Sequence, residues 1–424
     1  MENNITAIKE AIKKQNIRFV MLHFVDVLGE LKTVEISSTQ IDTAFENKIM
    51  MDGSSIRGVS AISNADTYLY PDPTSWRVIP FFSKPEYGVA SLMCDLHSSP
   101  GTPCAGCTRS VLRAALENMK AAGFTTFNVG FEPEFYLLKK EGMVKGKISP
   151  AQFLDDGGYC ENAINDAAFD IRHEIVIALE QSGIECQTNH HEVGPSQYEI
   201  NFKFADAIHA CDNLLFVRFL IAAVAKKYGY MTTFMPKPIE GYAGNGLHTN
   251  VSLATAAGNA FWDKATSAFS ETAKSFITGV LTHAQGLCFL TNPSSNSYRR
   301  LVKHFEAPVN VCWSYANRSA MVRVPKATGG SARAEVRIVD SSSNPYLAVA
   351  GILTAGLDGI TNKIPQIAPV DKIIFDLTDM EKKALNIADV PNSLTQSLAA
   401  FKADKTLSSI ISPKLLADLE KFTK

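Results

Sequence analysis

The chain has no run of apolar residues long enough to cross a membrane. A membrane helix needs about 18 to 20 such residues, whereas the longest run here, Leu214–Ala225, is interrupted by Arg218 and predicts a buried helix. The N-terminal segment MENNITAIKEAIKK is polar and lacks the apolar core of a signal peptide. We therefore expect a cytoplasmic protein with no membrane partner.

The chain also has no excess of charge of either sign. Its 41 Lys and Arg and 43 Asp and Glu give a formal net charge of −2, and no long basic run occurs. Clustered positive charge is what attracts nucleic acids and anionic membranes, so no nucleic-acid partner is expected. The length of 424 residues and the apolar fraction of 46% predict a folded protein with two or more domains.

Cysteine is too sparse for a disulfide framework, with eight residues in a chain of this length. Cys104 and Cys107 form a single CxxC motif, and a zinc site would need a second pair or nearby histidines. We interpret the pair as structural. No GxxxxGK[ST] motif is present, so a P-loop nucleotide-binding fold is not expected.

The first hundred residues have the apolar pattern of β-strands. Ile17–Val27 and Leu31–Ile36 flank a turn at Gly29 and predict a hairpin. Tyr87–Leu96 predicts another strand. Residues 51–85 are rich in Gly, Ser, Asp and Pro and predict a long irregular loop, a feature that is usually functional.

A cluster of turn-forming residues at 97–103 predicts a domain boundary. We expect an N-terminal domain of residues 1–100 and a larger domain of residues 101–424. Beyond the boundary, amphipathic helical patterns alternate with short strand-like segments. Helices are predicted at 108–122, 166–182, 207–228, 344–360 and through the last fifty residues. Strands are predicted at 124–138, 184–191, 197–202 and 248–253.

The segment Glu132-Pro133-Glu134 is the first candidate for chemistry. Residues two apart in a strand lie on the same face. Two carboxylates side by side in an apolar segment repel each other and lose hydration. A divalent cation between them would offset both costs. A solvated edge strand is the alternative, and Pro133 suits that as well.

Three further segments combine acids, histidine or arginines with apolar neighbours. In the segment 333–337, strand alternation predicts Glu335 on one face and both Arg333 and Arg337 on the other. In the segment 244–248, the glycines allow the backbone to approach a ligand closely, although His248 could equally be packed in a core. The segments are Asn189-His190-His191-Glu192 with Gln197-Tyr198-Glu199, Gly244-Asn245-Gly246-Leu247-His248, and Arg333-Ala334-Glu335-Val336-Arg337.

Four arginines, Arg299, Arg300, Arg318 and Arg323, fall within twenty-five residues. Surface charge is the simplest interpretation. Yet Arg318 and Arg323 have apolar neighbours, and such arginines usually meet a phosphate or a carboxylate. Many acids, a histidine and several arginines together indicate divalent metals with a nucleoside triphosphate.

Together and in this order, the motifs resemble type I glutamine synthetase from about Phe19 to Ser393. Five blocks in register carry the resemblance, although each alone would be weak. They are Asp52-Gly53-Ser54-Ser55-Ile56, Gly130-Phe131-Glu132-Pro133-Glu134-Phe135, His190-His191-Glu192-Val193, Phe234-Met235-Pro236-Lys237-Pro238 leading to His248, and Asn292-Pro293 through Asn296-Ser297-Tyr298 to Glu306-Ala307-Pro308.

The resemblance implies an α+β fold: a small β-grasp-like N-terminal domain, then a catalytic domain of curved antiparallel sheet flanked by helices. It also implies a homo-oligomer, expected to be a dodecamer, with active sites shared between subunits. A regulatory protein partner is compatible with it, but no residue indicates one.

The resemblance further implies ATP-dependent joining of ammonia to the γ-carboxylate of glutamate through γ-glutamyl phosphate. Two Mg²⁺ or Mn²⁺ ions are implied, one held by Glu134, Glu192 and Glu199 and the other by Glu132, His248 and Glu335. The implied catalytic residues are Asp52, Glu306 and Arg318. The implied contacts to glutamate or ammonium are Tyr159, Glu192, Gly244, Gly246, Arg300, Glu306 and Arg337. The implied ATP contacts are Gln187, Phe204, Asn250, Ser252, Arg318, Arg323 and Arg333.

Two alternatives stay open. A γ-glutamyl-amine ligase of the same fold would act on a polyamine or methylamine, and Asp52 and Tyr159 argue against it because a larger amine does not suit a compact anionic pocket. A non-catalytic scaffold or regulatory relative should have lost metal ligands or Glu306, and all of these are present.

Overall fold

The structure is a computed structural model that describes residues 2–141, 147–303, 305, 307–315, 317–372 and 374–423. Within these residues the chain forms two large sheets and two small two-stranded sheets, and helices cover the larger of the large sheets. The two main apolar cores lie with the two large sheets.

The N-terminal sheet has seven strands, with the order β2-β1-β6-β4-β3 and with β5 and β7 beside β6. The predicted hairpin is confirmed, because β1 and β2 pair antiparallel, and β1 also pairs parallel with β6. The elements are α1 Glu2–Lys14, β1 Ile17–Val25, β2 Leu31–Ser37, α2 Ile41–Phe45, β3 Met50–Asp52, β4 Asp66–Pro71, β5 Arg77–Val78, β6 Gly88–Ser99 and β7 Thr102–Pro103.

The prediction of one long irregular loop at 51–85 is wrong. Strand β4 lies inside the sheet between β6 and β3, and its Thr67, Leu69 and Pro71 are buried in alternation. The turn-forming residues on both sides, which build short 3-10 turns around this strand, masked its period-two pattern.

The larger sheet has ten strands, with the main order β18-β19-β20-β13-β8-β10-β9. Strand β8 is central and pairs antiparallel with both β13 and β10. The strands of this part of the chain are β8 Thr126–Lys139, β9 Cys186–His191, β10 Gln197–Phe202, β11 Ala205–Asp206, β12 Tyr230–Thr233, β13 Leu247–Thr255, β14 Gly258–Asn259, β15 Trp262–Asp263, β16 Ala268–Phe269, β17 Asn310–Val311, β18 Trp313–Tyr315, β19 Val322–Val324, β20 Ala334–Val336 and β21 Ala388–Asp389.

The helices of this part are α3 Thr108–Ala121, α4 Phe169–Gln181, α5 Ala207–Lys227, α6 Glu271–Thr282, α7 Ala284–Thr291, α8 Ser295–Arg300, α9 Pro345–Thr361, α10 Asp379–Ala384, α11 Leu394–Ala403, α12 Lys405–Ser408 and α13 Pro413–Phe422. Helices α3, α4, α5 and α9 match the predicted helices to within a few residues, and α10 to α13 fall in the predicted helical C-terminal region, whereas α6, α7 and α8 were not predicted.

Helix α5 differs from one expectation, because by length and mean hydropathy it could cross a membrane. In the structure its apolar side chains form part of the main core, and 67% of the apolar window is buried inside the protein. The helix packs against β8, α4 and α9. The core helix of a folded protein passes the same test, and these surroundings agree with the predicted buried helix.

A buried ion network joins the N-terminal sheet to helices α3, α5 and α9. Arg109 of α3 is 1% exposed and donates to Asp72 and Asp95 beside the N-terminal sheet and to Asp212 of α5. Tyr346 of α9 donates to the same Asp212 carboxylate. Because a buried arginine is stable only when its charge is paired, this network fixes the orientation of the N-terminal sheet on the helices.

Cys104 and Cys107 are free thiols, 4% and 3% exposed. Burial raises the pKa of Cys104 to about 11 and also raises the pKa of Cys107. The Sγ of Cys107 accepts hydrogen bonds from the Leu96 N–H and the Ser110 hydroxyl. Buried, protonated thiols of this kind are poor metal ligands and poor nucleophiles, which supports a structural role.

Candidate active site

Strand register brings the acidic residues together on one face of the larger sheet. Across β8 and β13, Glu132 faces His248, and across β8 and β10, Glu134 faces Glu199. Two further pairs extend the row at its ends, Glu335 opposite Asn250 and His190 opposite Glu199. Side chains directly opposite on neighbouring strands lie about 5 Å apart, so five strands contribute to one polar strip.

Three groups in this strip have ligand atoms within 4.8 Å of one another. The groups are Glu132 with His248 and Glu335, Glu134 with Glu199 and His248, and His190 with Glu192 and Glu199. The first matches a predicted metal set. The other predicted set is divided between two groups that share Glu199, and His190 joins one of them.

The His248 imidazole lies between two of these groups. Its Nδ1 is 3.4 Å from a Glu132 oxygen and 3.9 Å from a Glu335 oxygen, and its Nε2 is 3.9 Å from Glu134. Carboxylate oxygens and an imidazole nitrogen at such spacing are the donor set of Mg²⁺ or Mn²⁺. The residues present therefore fit two adjacent divalent cations.

The charges of the strip favour a bound cation. Burial, and then the charges of Glu134, Glu132 and Glu192, raise the pKa of Glu199 to about 9. Burial also raises the pKa of Glu134. Burial opposes ionisation of Glu132 too, but His248 and the Asn250 amide bind its carboxylate and lower its pKa to about 2. The carboxylates of Glu199 and Glu134 are therefore the ones that a divalent cation would stabilise most.

The prediction that Glu335 and its two neighbouring arginines lie on opposite faces of the strand is wrong for Arg337. The Arg337 Nη1 donates to Glu335 Oε1 at 2.6 Å, and Arg323 also pairs with the Glu335 carboxylate. Strand β20 ends at Val336, so strict alternation does not continue to Arg337. Arg333 behaves differently and donates to Asn250 Oδ1 at 2.9 Å.

A cavity of about 340 Å³ opens on one side of the strip. Five of the predicted ATP contacts line it, together with Glu132 from the metal cluster. They are Gln187, Phe204, Asn250, Ser252 and Arg333. Phe204 is 58% exposed in this wall, and an exposed aromatic ring of this kind can stack on a base. Arg318 and Arg323 are not among the lining residues of this cavity.

A second cavity of about 310 Å³ opens on the other side and contains Glu134, Glu192 and His248 in its wall. Arg300 lies there, 3% exposed, with its guanidinium donating to the carbonyl oxygens of Ile338 and Arg337. Both cavities thus reach the carboxylate strip, one through Glu132 and the other through Glu134.

The predicted glycines shape this second cavity. A Cβ on Gly244 would lie 2.4 Å from the Pro236 carbonyl oxygen, and one on Gly246 would lie 2.7 Å from Arg300 Nη2. The Gly246 N–H donates to Glu134 Oε2 at 2.7 Å. Only glycine allows the backbone this close to the guanidinium and the carboxylate.

Three further predicted residues, Tyr159, Arg318 and Asp52, are not among the described residues that line the two cavities. Tyr159 is 55% exposed and its ring contacts His190 edge-on, at a centroid distance of 5.3 Å. Arg318 is exposed, and its carbonyl oxygen accepts from Arg337 Nε. Asp52 is exposed at the end of the edge strand β3 and accepts from Ser54 and Ser55. Glu306 lies outside the described residues.

Sequence reasoning missed two contributors. The sequence does not predict His190 as a metal ligand. Its register opposite Glu199 nevertheless places it in the cluster. Asn245 is fully buried and fixes the glycine loop, because its amide donates to the Met235 carbonyl and accepts from Gln197. A polar residue between two glycines before a strand was the available signal.

Family models describe almost the whole chain. Residues 16–99 match the glutamine synthetase β-grasp domain, and residues 105–422 match the glutamine synthetase catalytic domain. The predicted fold class is thereby confirmed: an N-terminal β-grasp domain precedes a large catalytic domain of curved sheet and helices.

Curated relatives and solved structures agree with this match. Glutamine synthetases of Staphylococcus aureus strain MW2 and Staphylococcus epidermidis are each 42% identical to the chain over 405 residues, covering 95% of this chain and 90% of the relative. A structure described as a GmaS/ADP complex is 30% identical, has a TM-score of 0.86 and covers 98% of this chain and 94% of that one. The Plasmodium falciparum glutamine synthetase structure shares the fold at 24% identity, with a TM-score of 0.86 and coverage of 99% and 94%. The chain therefore belongs to the glutamine synthetase family and, as a member of it, is a ligase.

Proposed function

We propose that the protein joins ammonia to the γ-carboxylate of L-glutamate, converting ATP to ADP and phosphate and releasing L-glutamine. The observation that carries this proposal is the meeting of two cavities of about 340 and 310 Å³ at one strip of buried carboxylates. Such an arrangement suits a reaction in which a phosphoryl group passes from one bound substrate to the other.

ATP occupies the cavity lined by Phe204, Ser252 and Arg333, with its phosphates toward Glu132. Two Mg²⁺ or Mn²⁺ ions, when bound by the six predicted ligands, supply positive charge that stabilises the transferring phosphoryl group. Arg318, Arg323 and Arg337 add fixed positive charge near the same point, which lowers the barrier by electrostatic stabilisation. In the described structure Arg323 and Arg337 already flank Glu335.

Glutamate occupies the cavity that contains Arg300, whose guanidinium binds the substrate carboxylate. A carboxylate is a poor acyl donor because its leaving group would be oxide. Transfer of the γ-phosphoryl group gives γ-glutamyl phosphate, whose phosphate leaves readily. Exclusion of water by the surrounding residues prevents hydrolysis of this intermediate.

Ammonium binds among Tyr159, Glu192 and the Asp52 of a neighbouring subunit. These groups bind the cation, and one of them accepts a proton so that neutral ammonia can attack. Glu306 accepts a further proton from the adduct. The contact between Tyr159 and His190, and the proximity of His190 to Glu192 at 3.3 Å, support an amine site beside the metal cluster.

A γ-glutamyl-amine ligase is the second candidate. The chain has the same TM-score, 0.86, with the GmaS structure as with the Plasmodium glutamine synthetase, so the fold does not distinguish among amine substrates. A compact anionic pocket favours ammonium over putrescine or methylamine. Retention of all six metal ligands argues against a scaffold or regulatory relative without catalysis.

Amine competition tests the proposal. Phosphate release with glutamate, ATP and Mg²⁺ is measured with ammonium, methylamine or putrescine, and the amide product is identified by mass spectrometry. We expect ammonium to give the highest kcat/KM and glutamine as product. A higher kcat/KM for methylamine or putrescine would establish the second candidate, and phosphate release independent of both glutamate and amine would reject both.

A further inference from the structure

Lys237 is a buried cation with no part in the proposed chemistry. It lies in the connection between β12 and β13 and is 3% exposed. The Asn296 side chain makes two hydrogen bonds to the backbone of Lys237. The Lys237 N–H donates to Asn296 Oδ1 at 2.7 Å, and the Asn296 amide donates to the Lys237 carbonyl oxygen at 2.9 Å. The start of this side chain is therefore fixed.

The ammonium group of Lys237 is fixed as well. It donates to the Tyr242 carbonyl oxygen at 2.5 Å and lies 3.9 Å from the centroid of the Phe305 ring. An ammonium has three donors, and a cation over an aromatic face is attracted by the electron density of the ring. The contact is thus a cation–π interaction between a buried ammonium and a partly exposed ring.

Phe305 connects this contact to the substrate. Its ring is 38% exposed and forms part of the wall of the cavity that contains Arg300, beside Tyr242 and Gly244. A ring that moved away from Lys237 would open this wall to solvent. The position of Phe305 therefore contributes to the shape of this cavity and to how far it is open to water.

We propose that Lys237 is a positioning residue whose ammonium holds the Phe305 ring in the wall of the Arg300 cavity. This inference rests on the proposed function only in identifying the occupant of the cavity as glutamate. Cation–π contacts, from exposed to desolvated ones, correspond to a factor of about 2 to 30 in an equilibrium constant. We expect an effect of that size on glutamate binding and none on ATP binding.

Four variants test the contact, with Lys303→Met as the matched control because Lys303 is an exposed lysine two residues from Phe305. Lys237→Met and Phe305→Leu should each raise the Kd and KM for glutamate about 2- to 30-fold and leave the KM for ATP within twofold. The double variant should be no worse than the poorer single one. Phe305→Tyr retains the ring and should resemble the wild type.

Additive effects of Lys237→Met and Phe305→Leu on the glutamate Kd would overturn the inference, as would an equal rise in the KM for ATP. If Lys237→Met does not fold, Phe305→Leu compared with Phe305→Tyr decides the question, since loss of the ring alone should weaken glutamate binding. If wild-type protein binds no glutamate, the proposed function fails. The contact is then judged by Tm, where non-additive changes support it and additive changes reject it.

Discussion

At the scale of single residues, Glu199 and Glu134 are buried carboxylates that oppose folding when no cation is bound. The clearest case is Glu199, whose pKa is raised to about 9 by burial and by its acidic neighbours. A carboxyl group whose pKa is raised in the folded state binds its proton more tightly when the protein is folded. The group therefore destabilises the folded protein increasingly as the pH rises from the pKa of the unfolded chain toward 9. A bound divalent cation removes this penalty.

We therefore predict that Glu199→Gln raises the Tm of the metal-free protein near pH 8 and reduces the Tm increase caused by Mg²⁺ or Mn²⁺. The amide keeps the shape of the side chain and removes its charge. Scanning calorimetry with chelator and with saturating metal measures both effects. Glu185→Gln is the control, because Glu185 is 63% exposed and paired with Lys203 at the surface. A lower metal-free Tm with a full metal response would contradict the prediction.

At the scale of secondary-structure elements, a histidine joins three helical segments. His283 follows α6, and its Nδ1 and Nε2 lie 2.6 and 3.0 Å from carboxylate oxygens of Asp404, before α12, and Asp358, in α9. Both ring nitrogens can donate only in the imidazolium form. Burial lowers the pKa of His283, but the bonds to Asp404 and Asp358 outweigh it and raise the pKa above 6.5.

We predict that this contact stabilises the protein fully below about pH 6.5 and that its contribution is lost as the pH rises through the raised pKa. His283→Gln should lower the free energy of unfolding by about 1 to 3 kcal/mol at about pH 6 and by less at about pH 8.5. Urea unfolding at the two pH values measures the difference. His173→Gln, at an exposed position of α4, should leave the pH dependence of the wild type unchanged. An equal loss at both pH values for His283→Gln would show that the contact is not charge-dependent.

At the scale of the whole molecule, we predict that a neighbouring subunit completes the proposed site. Asp52 is exposed at a sheet edge and, in the part of the chain that the structure describes, lines neither cavity. A ring assembly, expected here as a dodecamer, would place it against Tyr159 of a neighbouring copy. The cytoplasmic location and the division at residues 100 and 101 also stay predictions.

Mixed oligomers test the shared site. Asp52→Ala and Arg300→Gln should each be nearly inactive alone. In mixed oligomers of equal amounts, about one quarter of the sites should combine an intact Asp52 from one subunit with an intact Arg300 from its neighbour, so about one quarter of wild-type activity should return. Activity of the co-purified mixture is the measurement. A mixture of Arg300→Gln and Glu199→Gln should recover nothing, because both residues lie in the same half. Recovery no greater than this control would place the whole site in one chain.

The sequence alone determined the family, the fold class and the longer strands with several of the helices, because apolar periodicity and short motifs are local properties of the chain. The spacing of Glu132 and Glu134 also predicted their shared face. These features depend on residues a few positions apart.

Only the tertiary structure decided which distant residues meet. Register placed His190 in the metal cluster and β4 inside a sheet, the early end of β20 paired Arg337 with Glu335, and packing placed Lys237 on Phe305. Such contacts depend on how strands align and loops pack across long sequence separations. A local sequence pattern does not specify those alignments. A shift of one residue in register would move every side chain of a strand to the opposite face of the sheet.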